Sequence, residues 1–179
     1  MWYPATVTVA PAAEPVSLVE AKAHCGIEDT SRDTELAIYI AAARSYVESY
    51  CGIHLASRTV TVKCDSFDDF AHFPVVPLAS VSSVSYVDAN GATQTLPTSV
   101  YEVRSDGLTA SLALKANQAW PHAQGGSRIT VTAVTGGSTP DAVKHALLLM
   151  IGQSVDVREP MKVEESNVDW LLCNHRVFA

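Results

Sequence analysis

Five apolar residues recur at steps of four, three, four and four along the stretch 34–51, which places them on one face of an α-helix. They are Leu36, Ile40, Ala43, Val47 and Cys51. Gly52 follows immediately, and glycine is the usual residue at the left-handed position that ends a helix. We expect this apolar stripe to pack into the core of the chain.

Three tyrosines lie beside that stripe on the same predicted helix, at Tyr39, Tyr46 and Tyr50. A helix with an aliphatic face and an adjacent tyrosine face usually packs in two directions. The second direction is another element or another subunit, and periodicity alone does not separate the two.

A shorter helix is predicted over 17–25, just before the long one. Ser17 and Glu20 have the spacing of a capping box, in which each side chain satisfies a free backbone amide at the helix start. Gly26 is placed to end this helix.

The long helix over 34–51 and a last helix over 140–159 have their own start signals. Candidate caps for the long helix are Thr30, Ser31 and Asp33. Pro140 suits the first position of the last helix, and Pro160 ends it.

Between the long helices the hydrophobic period changes from helical to two. The runs 58–64, 81–87, 93–96, 101–104, 111–114 and 128–135 read as strands, with Asn90-Gly91 as a hairpin turn. The stretch 65–77 reads as an irregular loop, and 6–9 as an edge strand. The predicted fold class is α+β, with three to four α-helices and a small antiparallel β-sheet inserted between the second and last long helices.

Composition narrows the function classes. Of the 179 residues 47% are hydrophobic and 17% charged, which argues against disorder. The formal net charge of -7 argues against a protein that holds nucleic acid through phosphate contacts. No apolar run approaches transmembrane length and the start lacks signal-peptide features, so we expect no membrane partner.

Candidate chemistry is sparse, and we expect no catalytic residue, no metal and no cofactor. Cys25, Cys51, Cys64 and Cys173 form no C-x-x-C pair, so reduced thiols in a cytoplasmic setting are expected. The pairs Cys51/His54 and Cys173/His175 do not match zinc spacing.

Acidic residues give no clearer signal. Asp65, Asp68 and Asp69 near His72 do not follow calcium-loop spacing and read as a solvated loop. Glu48 and Glu102 lie on regular elements and are interpreted as solvated faces, with nothing to mark a general acid–base pair.

The order of these elements resembles one family. Three segments are similar to the head–tail connector (adaptor) proteins of tailed bacteriophages: PVSLVEAK at 15–22, the helix AARSYVE at 42–48 with Gly52 after it, and the hairpin around Tyr86–Gly91. The Tyr101–Val103 strand, Trp120-Pro121 and the helix Val143–Leu149 also fit. Related adaptors occur in gene transfer agents, and the sequence does not separate the two.

The resemblance implies a non-enzymatic ring component of the virion or phage-like particle, assembled in the bacterial cytoplasm. In that family a homododecamer sits under the portal protein and extends the DNA channel. Its implied partners are the portal, a stopper or other tail-completion protein, and further copies of itself. DNA is expected to pass without specific binding.

The resemblance also implies an organisation and three sets of surface residues. Residues 1–160 form the connector domain and 161–179 a C-terminal docking tail. The stretch 161–169 is mostly polar, so we expect it to lie outside the core and to be mobile in the free subunit. Two readings of the apolar end stay open: it folds back as a short helix on its own sheet, or it docks on the portal and becomes ordered on binding. Portal-binding candidates are Trp170, Leu171, Leu172, Arg176, Val177 and Phe178. Subunit-interface candidates are Tyr39, Tyr46 and Tyr50, and tail-side docking candidates are Tyr86, Asn90 and Gly91.

Two alternatives from other classes stay open. A small cytoplasmic hydrolase would need a low-pKa cysteine beside a histidine, and only the two pairs above offer one. A ligand-binding β module with helical supports would favour a monomer with a cleft.

Overall fold

The structure, a computed structural model, describes residues 1–157 and 167–177. The predicted stop at Pro160, the tail boundary at 160/161, most of the predicted mobile stretch and Phe178 lie outside the described residues. The described chain has four α-helices and antiparallel sheets, which confirms the α+β class. No helix in the described ranges is long and apolar enough to cross a bilayer.

The described chain divides into two compact units, each made of two stretches. The sheet unit joins Met1–Pro11 with Ser57–Gly136. The helical unit joins Ala12–Ala56 with the described residues from Gly137 onward. The division of the chain into residues 1–160 and a tail at 161–179 stays a prediction.

The described part of the helical unit has four helices and a closing 3₁₀ turn. They are α1 Leu18–Cys25, α2 Asp33–Cys51, α3 Asp141–Val157, α4 Asn167–Leu172 and the turn Cys173–His175. Helix α1 packs against α2 and α3, α2 against α3, and α3 against α4. Gly152 on α3 brings α1 close, because a Cβ there would lie 3.3 Å from Nε2 of His24.

Helix α1 begins as its sequence predicts. The Ser17 hydroxyl accepts a hydrogen bond from the Glu20 amide, and the Glu20 carboxylate accepts one from the Ser17 amide at 2.9 Å. Gly26 ends the helix in the left-handed conformation with φ of 65°. The predicted capping box is confirmed.

Helix α2 buries the five predicted apolar residues and ends at Gly52 with φ of 68°. The prediction of its cap was wrong. The helix begins after Arg32, whose side chain makes no capping hydrogen bond. The Ser31 hydroxyl is bound to Asp29 at 2.6 Å, and the Asp33 carboxylate accepts from Lys22 Nζ at 2.8 Å, so neither side chain serves the helix start.

The sheet unit contains a five-stranded antiparallel sheet and a separate two-stranded ribbon. The strands are β1 Thr6–Val9, β2 Arg58–Cys64, β3 Leu78–Val87, β4 Thr93–Thr95, β5 Tyr101–Asp106, β6 Thr109–Leu114 and β7 Ile129–Thr135. The sheet order is β1-β2-β7-β3-β4, with β1 at one edge as expected, and β5 pairs with β6.

Alternation along the central strands decides which face of the sheet is buried. Val60 and Val62 are fully buried, and they lie opposite Ala133 and Val131 of β7. Val84 of β3 pairs with Val131 on its other side. Small apolar residues in register therefore fill the inner face of this sheet.

The stretch 65–77 is more ordered than predicted. It carries a 3₁₀ helix, Phe67–Ala71, whose start is closed by a capping box between Ser66 and Asp69. The aromatic side chains of this helix pack against residues that are distant in sequence. This packing stabilises a segment that has no hydrophobic period of its own.

Candidate functional surfaces

The three tyrosines of α2 do not form one uniform exposed stripe. Tyr46 and Tyr50 stack with ring centroids 6.1 Å apart, and Tyr46 is 38% exposed. Tyr39 is half-buried and donates its hydroxyl to Glu35 at 2.8 Å. Their role in a subunit interface stays a prediction.

Tyr50 holds the C-terminal segment of the helical unit. Its hydroxyl donates to the Asp169 carboxylate, and the Arg176 guanidinium lies 4.3 Å above its ring. The Asp169 hydrogen bond raises the pKa of Tyr50, because the bond needs the phenolic proton. The Val177 amide donates to the Cys51 carbonyl at 2.8 Å and closes the segment onto the end of α2.

The predicted portal-binding residues divide into buried and exposed ones. Leu172 is fully buried, with Val168 beside it on the same helix, and α4 packs on α3. Trp170 points outward and is 83% exposed, while Leu171 is half-buried. Arg176 contacts Tyr50 as described, and Phe178 lies outside the described residues. Among the described apolar candidates, Trp170 is therefore the most exposed to a partner.

The predicted Asn90-Gly91 turn is confirmed as a hairpin between β3 and β4, and its tail-side docking role stays a prediction. The Asp88 carboxylate accepts from the amides of Asn90 and Ala92, and from the Gln94 side chain at 2.9 Å. These bonds, that of Gln94 first, hold the pKa of Asp88 below its usual value. Asn90 and Gly91 are exposed at the tip.

Tyr86, the third residue assigned to that turn, belongs instead to an aromatic cluster that sequence reasoning missed. Its ring meets Phe67 edge-on with centroids 5.8 Å apart. Phe67 stacks on Trp120 at 5.1 Å, and Phe70 stacks on Trp2 at 5.9 Å. The only sequence signal was the group of phenylalanines in a presumed loop.

The prediction that Glu48 lies on a solvated face was wrong. Its side chain is only 9% exposed. One carboxylate oxygen accepts the amides of Leu55 and Ala56 at 2.8 and 3.3 Å, and the other accepts from Arg44 at 3.0 Å. Glu48 thereby anchors the segment that follows α2.

The thiols do not support the hydrolase alternative. Cys51 is fully buried, and burial raises its pKa to about 11, the opposite of an activated nucleophile. Cys173 is exposed and donates to the Trp170 carbonyl of its own turn at 3.3 Å. Among the described residues no three His, Cys, Asp or Glu side chains gather as a metal site.

Comparison with known proteins shows which family this chain resembles. Residues 15–100 match the family described as phage gp6-like head-tail connector proteins. The resemblance to head–tail connectors is confirmed. The search of curated proteins gave no match.

Solved structures share the fold across nearly the whole chain. A chain from the virion of a native gene transfer agent (GTA) particle is 18% identical with a TM-score of 0.80, covering 98% of this chain and 96% of its own. Chains from two neck structures are similar. That of an empty GTA particle, with C6 symmetry, is 17% identical (TM-score 0.79), and that of a native GTA particle, with C12 symmetry, is 20% identical (TM-score 0.77). Each covers 99% of this chain and 97% of its own.

Proposed function

We propose that this chain is a structural head–tail connector of a tailed phage or gene transfer agent, and that it forms a ring at the neck of the particle. The observation that carries the proposal is the connector-family match over 15–100, on a chain whose fold is that of proteins from GTA necks. A structural role also agrees with the buried, high-pKa thiol of Cys51. A homododecamer agrees with the C12 symmetry of one of those necks.

The joining role is tested by omitting this protein from cells that make the particle. Filled heads without attached tails should then accumulate in electron micrographs, and supplying the wild-type chain should restore joined particles. A supply of a Val47→Asp chain, whose core carries a carboxylate, serves as the negative control. Normal tailed particles in the absence of the protein would contradict the proposal.

We also propose that DNA passes through the ring without binding to its wall. The chain has 19 acidic against 12 basic residues, and this net negative charge opposes binding to phosphates. A mobility-shift assay with duplex DNA at physiological salt should show no binding. Sub-micromolar affinity would contradict a passive channel wall.

The C-terminal segment is proposed to dock on the portal through Trp170, with Arg176 and the neighbouring apolar residues in support. Large aromatic and arginine side chains dominate binding energy at interfaces. The exposed Trp170 is the anchor that this unit offers without unfolding, since Leu172 already belongs to the core. The Asn90-Gly91 tip is proposed to meet the stopper or another tail-completion protein.

Two point variants separate docking from folding in that segment. Trp170→Ala should keep the melting temperature and lose attachment to portal rings in sedimentation. Leu172→Ala should instead lower stability by about 2–5 kcal/mol, because it leaves a cavity. Retention of portal attachment by Trp170→Ala would remove the docking role of the tail.

A further inference from the structure

Helix α2 carries an outer face without any charge. Its exposed residues are Thr34, Ala37, Ile38, Ala42, Ser45, Tyr46 and Ser49. Ile38 is 62% exposed, which is high for a large aliphatic residue in the middle of a helix. From Thr34 to Ser49 the face extends about 22 Å at 1.5 Å per residue.

The four charged residues of α2 lie off this face, half-buried and used within the helical unit. Asp33 pairs with Lys22 at 2.8 Å, Glu35 with Arg32 at 2.8 Å, and Arg44 bridges Glu14 and Glu48. On most surface helices the charged residues face solvent and the apolar residues face the core. On α2 the charged residues lie beside the exposed face, and the exposed face itself carries no charge.

Helix α3 shows what an ordinary solvent face looks like in the same unit. Among its described side chains, the exposed ones are Asp141, His145, Gln153 and Asp156. The two helices have similar lengths, so the difference does not come from the size of the element. The outer face of α2 has the composition of an interface core, where charged residues are depleted.

We propose that the outer face of α2, centred on Ile38 and Ala42, is covered by a neighbouring copy of this chain in the ring. This inference rests on the proposed function. It adds Ile38, Ala42 and Ser45, which the tyrosine pattern did not indicate, and it places Tyr46 at the edge of the contact.

Charge selects a second copy as the occupant. The helical unit has 7 basic and 13 acidic residues in its sequence, a net charge of -6, so the summed charges of two copies repel each other. A face whose charges are absent lets two such acidic units touch without an unpaired carboxylate. A duplex or an acid-seeking basic protein would find nothing on this face to pair with.

Cyclic symmetry makes the contact heterologous. In a ring of more than two copies each subunit presents two different surfaces, and one meets the other on the next subunit. The outer face of α2 supplies one of the two surfaces, and its small residues allow close approach of a neighbouring backbone.

Photo-crosslinking in particle-producing cells tests the occupant. Benzoylphenylalanine at position 38 should give an adduct of twice the chain mass of 19.1 kDa, which carries only this protein. The same group at position 153, on the exposed face of α3, is the matched control and should give none. An adduct of position 38 with a different protein, or no adduct, overturns the inference.

A matched charge insertion gives a second readout. Ile38→Glu should keep the melting temperature of the free subunit within about 2 °C and reduce its incorporation into necks at least tenfold. Gln153→Glu adds the same charge to α3 and should incorporate like wild type. Normal incorporation of Ile38→Glu overturns this inference and leaves the proposed function standing, whereas absence of the wild-type chain from necks would overturn the function itself.

Discussion

The helical unit carries 13 acidic and 7 basic residues in its sequence, and the sheet unit carries 6 and 5. Partly buried ion pairs join segments of the helical unit, among them Lys22–Asp33 and Arg44–Glu14. In the sheet unit the Glu102–Arg104 pair is exposed, and an aromatic cluster surrounds the 3₁₀ helix. Variants in the two units should therefore fail differently.

The largest effect is expected in the core of the helical unit. Val47→Asp places a carboxylate among fully buried residues without a partner. It should lower the free energy of unfolding by about 3–5 kcal/mol, measured by thermal unfolding followed by the helical circular dichroism signal. Ile38→Asp makes a similar change on the exposed face and should cost under about 1 kcal/mol. Equal losses for both would show that the buried stripe is not the core.

The aromatic cluster should give the largest effect in the sheet unit. Phe70 is fully buried and its ring contacts those of Trp2, Phe67 and Trp120. Phe70→Ala should therefore cost about 3–5 kcal/mol in denaturant unfolding followed by tryptophan fluorescence. Trp170→Ala removes a larger ring from an exposed site and is the control. A near-neutral Phe70→Ala would mean that strand pairing alone stabilises this unit.

A smaller effect on stability should distinguish Glu48 from Glu102, both of which the sequence predicts to be solvated residues. Glu48→Gln weakens the Arg44 pair and the anchoring of Leu55 and Ala56, and should cost about 1–3 kcal/mol. Glu102 pairs with Arg104 on the exposed ribbon of the sheet unit. Glu102→Gln should cost under about 0.5 kcal/mol, because exposed ion pairs contribute little. Equal shifts in the denaturation midpoint would contradict the assignment of Glu48 as an anchor.

The smallest effect concerns acid stability. The hydrogen bond from Lys144, and then those from Ser17, lower the pKa of Glu20 from 4.5 to about 2. Because the folded-state pKa is depressed, this contribution is present above pH 4.5 and is lost as the pH falls toward 2. Glu20→Gln should flatten the acid limb of the helical unfolding curve between those values. Asp88→Asn removes a lowered-pKa carboxyl from the sheet unit and is the control.

Much of the local structure followed from the sequence because its causes are local. The buried stripe of α2, the capping box at Ser17 and Glu20, the helix ends at Gly26 and Gly52, and the Asn90-Gly91 hairpin each depend on residues a few positions apart. Backbone sterics and neighbouring hydrogen bonds decide these features before any distant contact forms. The family resemblance came from the order of the same local signals.

The tertiary structure decided how side chains were used. Glu48 became an anchor because the chain after Gly52 turns back and places two amides on its carboxylate. The aromatic cluster brings together residues as far apart as Trp2 and Trp120 around one 3₁₀ helix. Asp33 and Arg44 of α2 pair with Lys22 and Glu14, which lie outside that helix. Such outcomes depend on which distant groups meet, and no local pattern in the sequence records that.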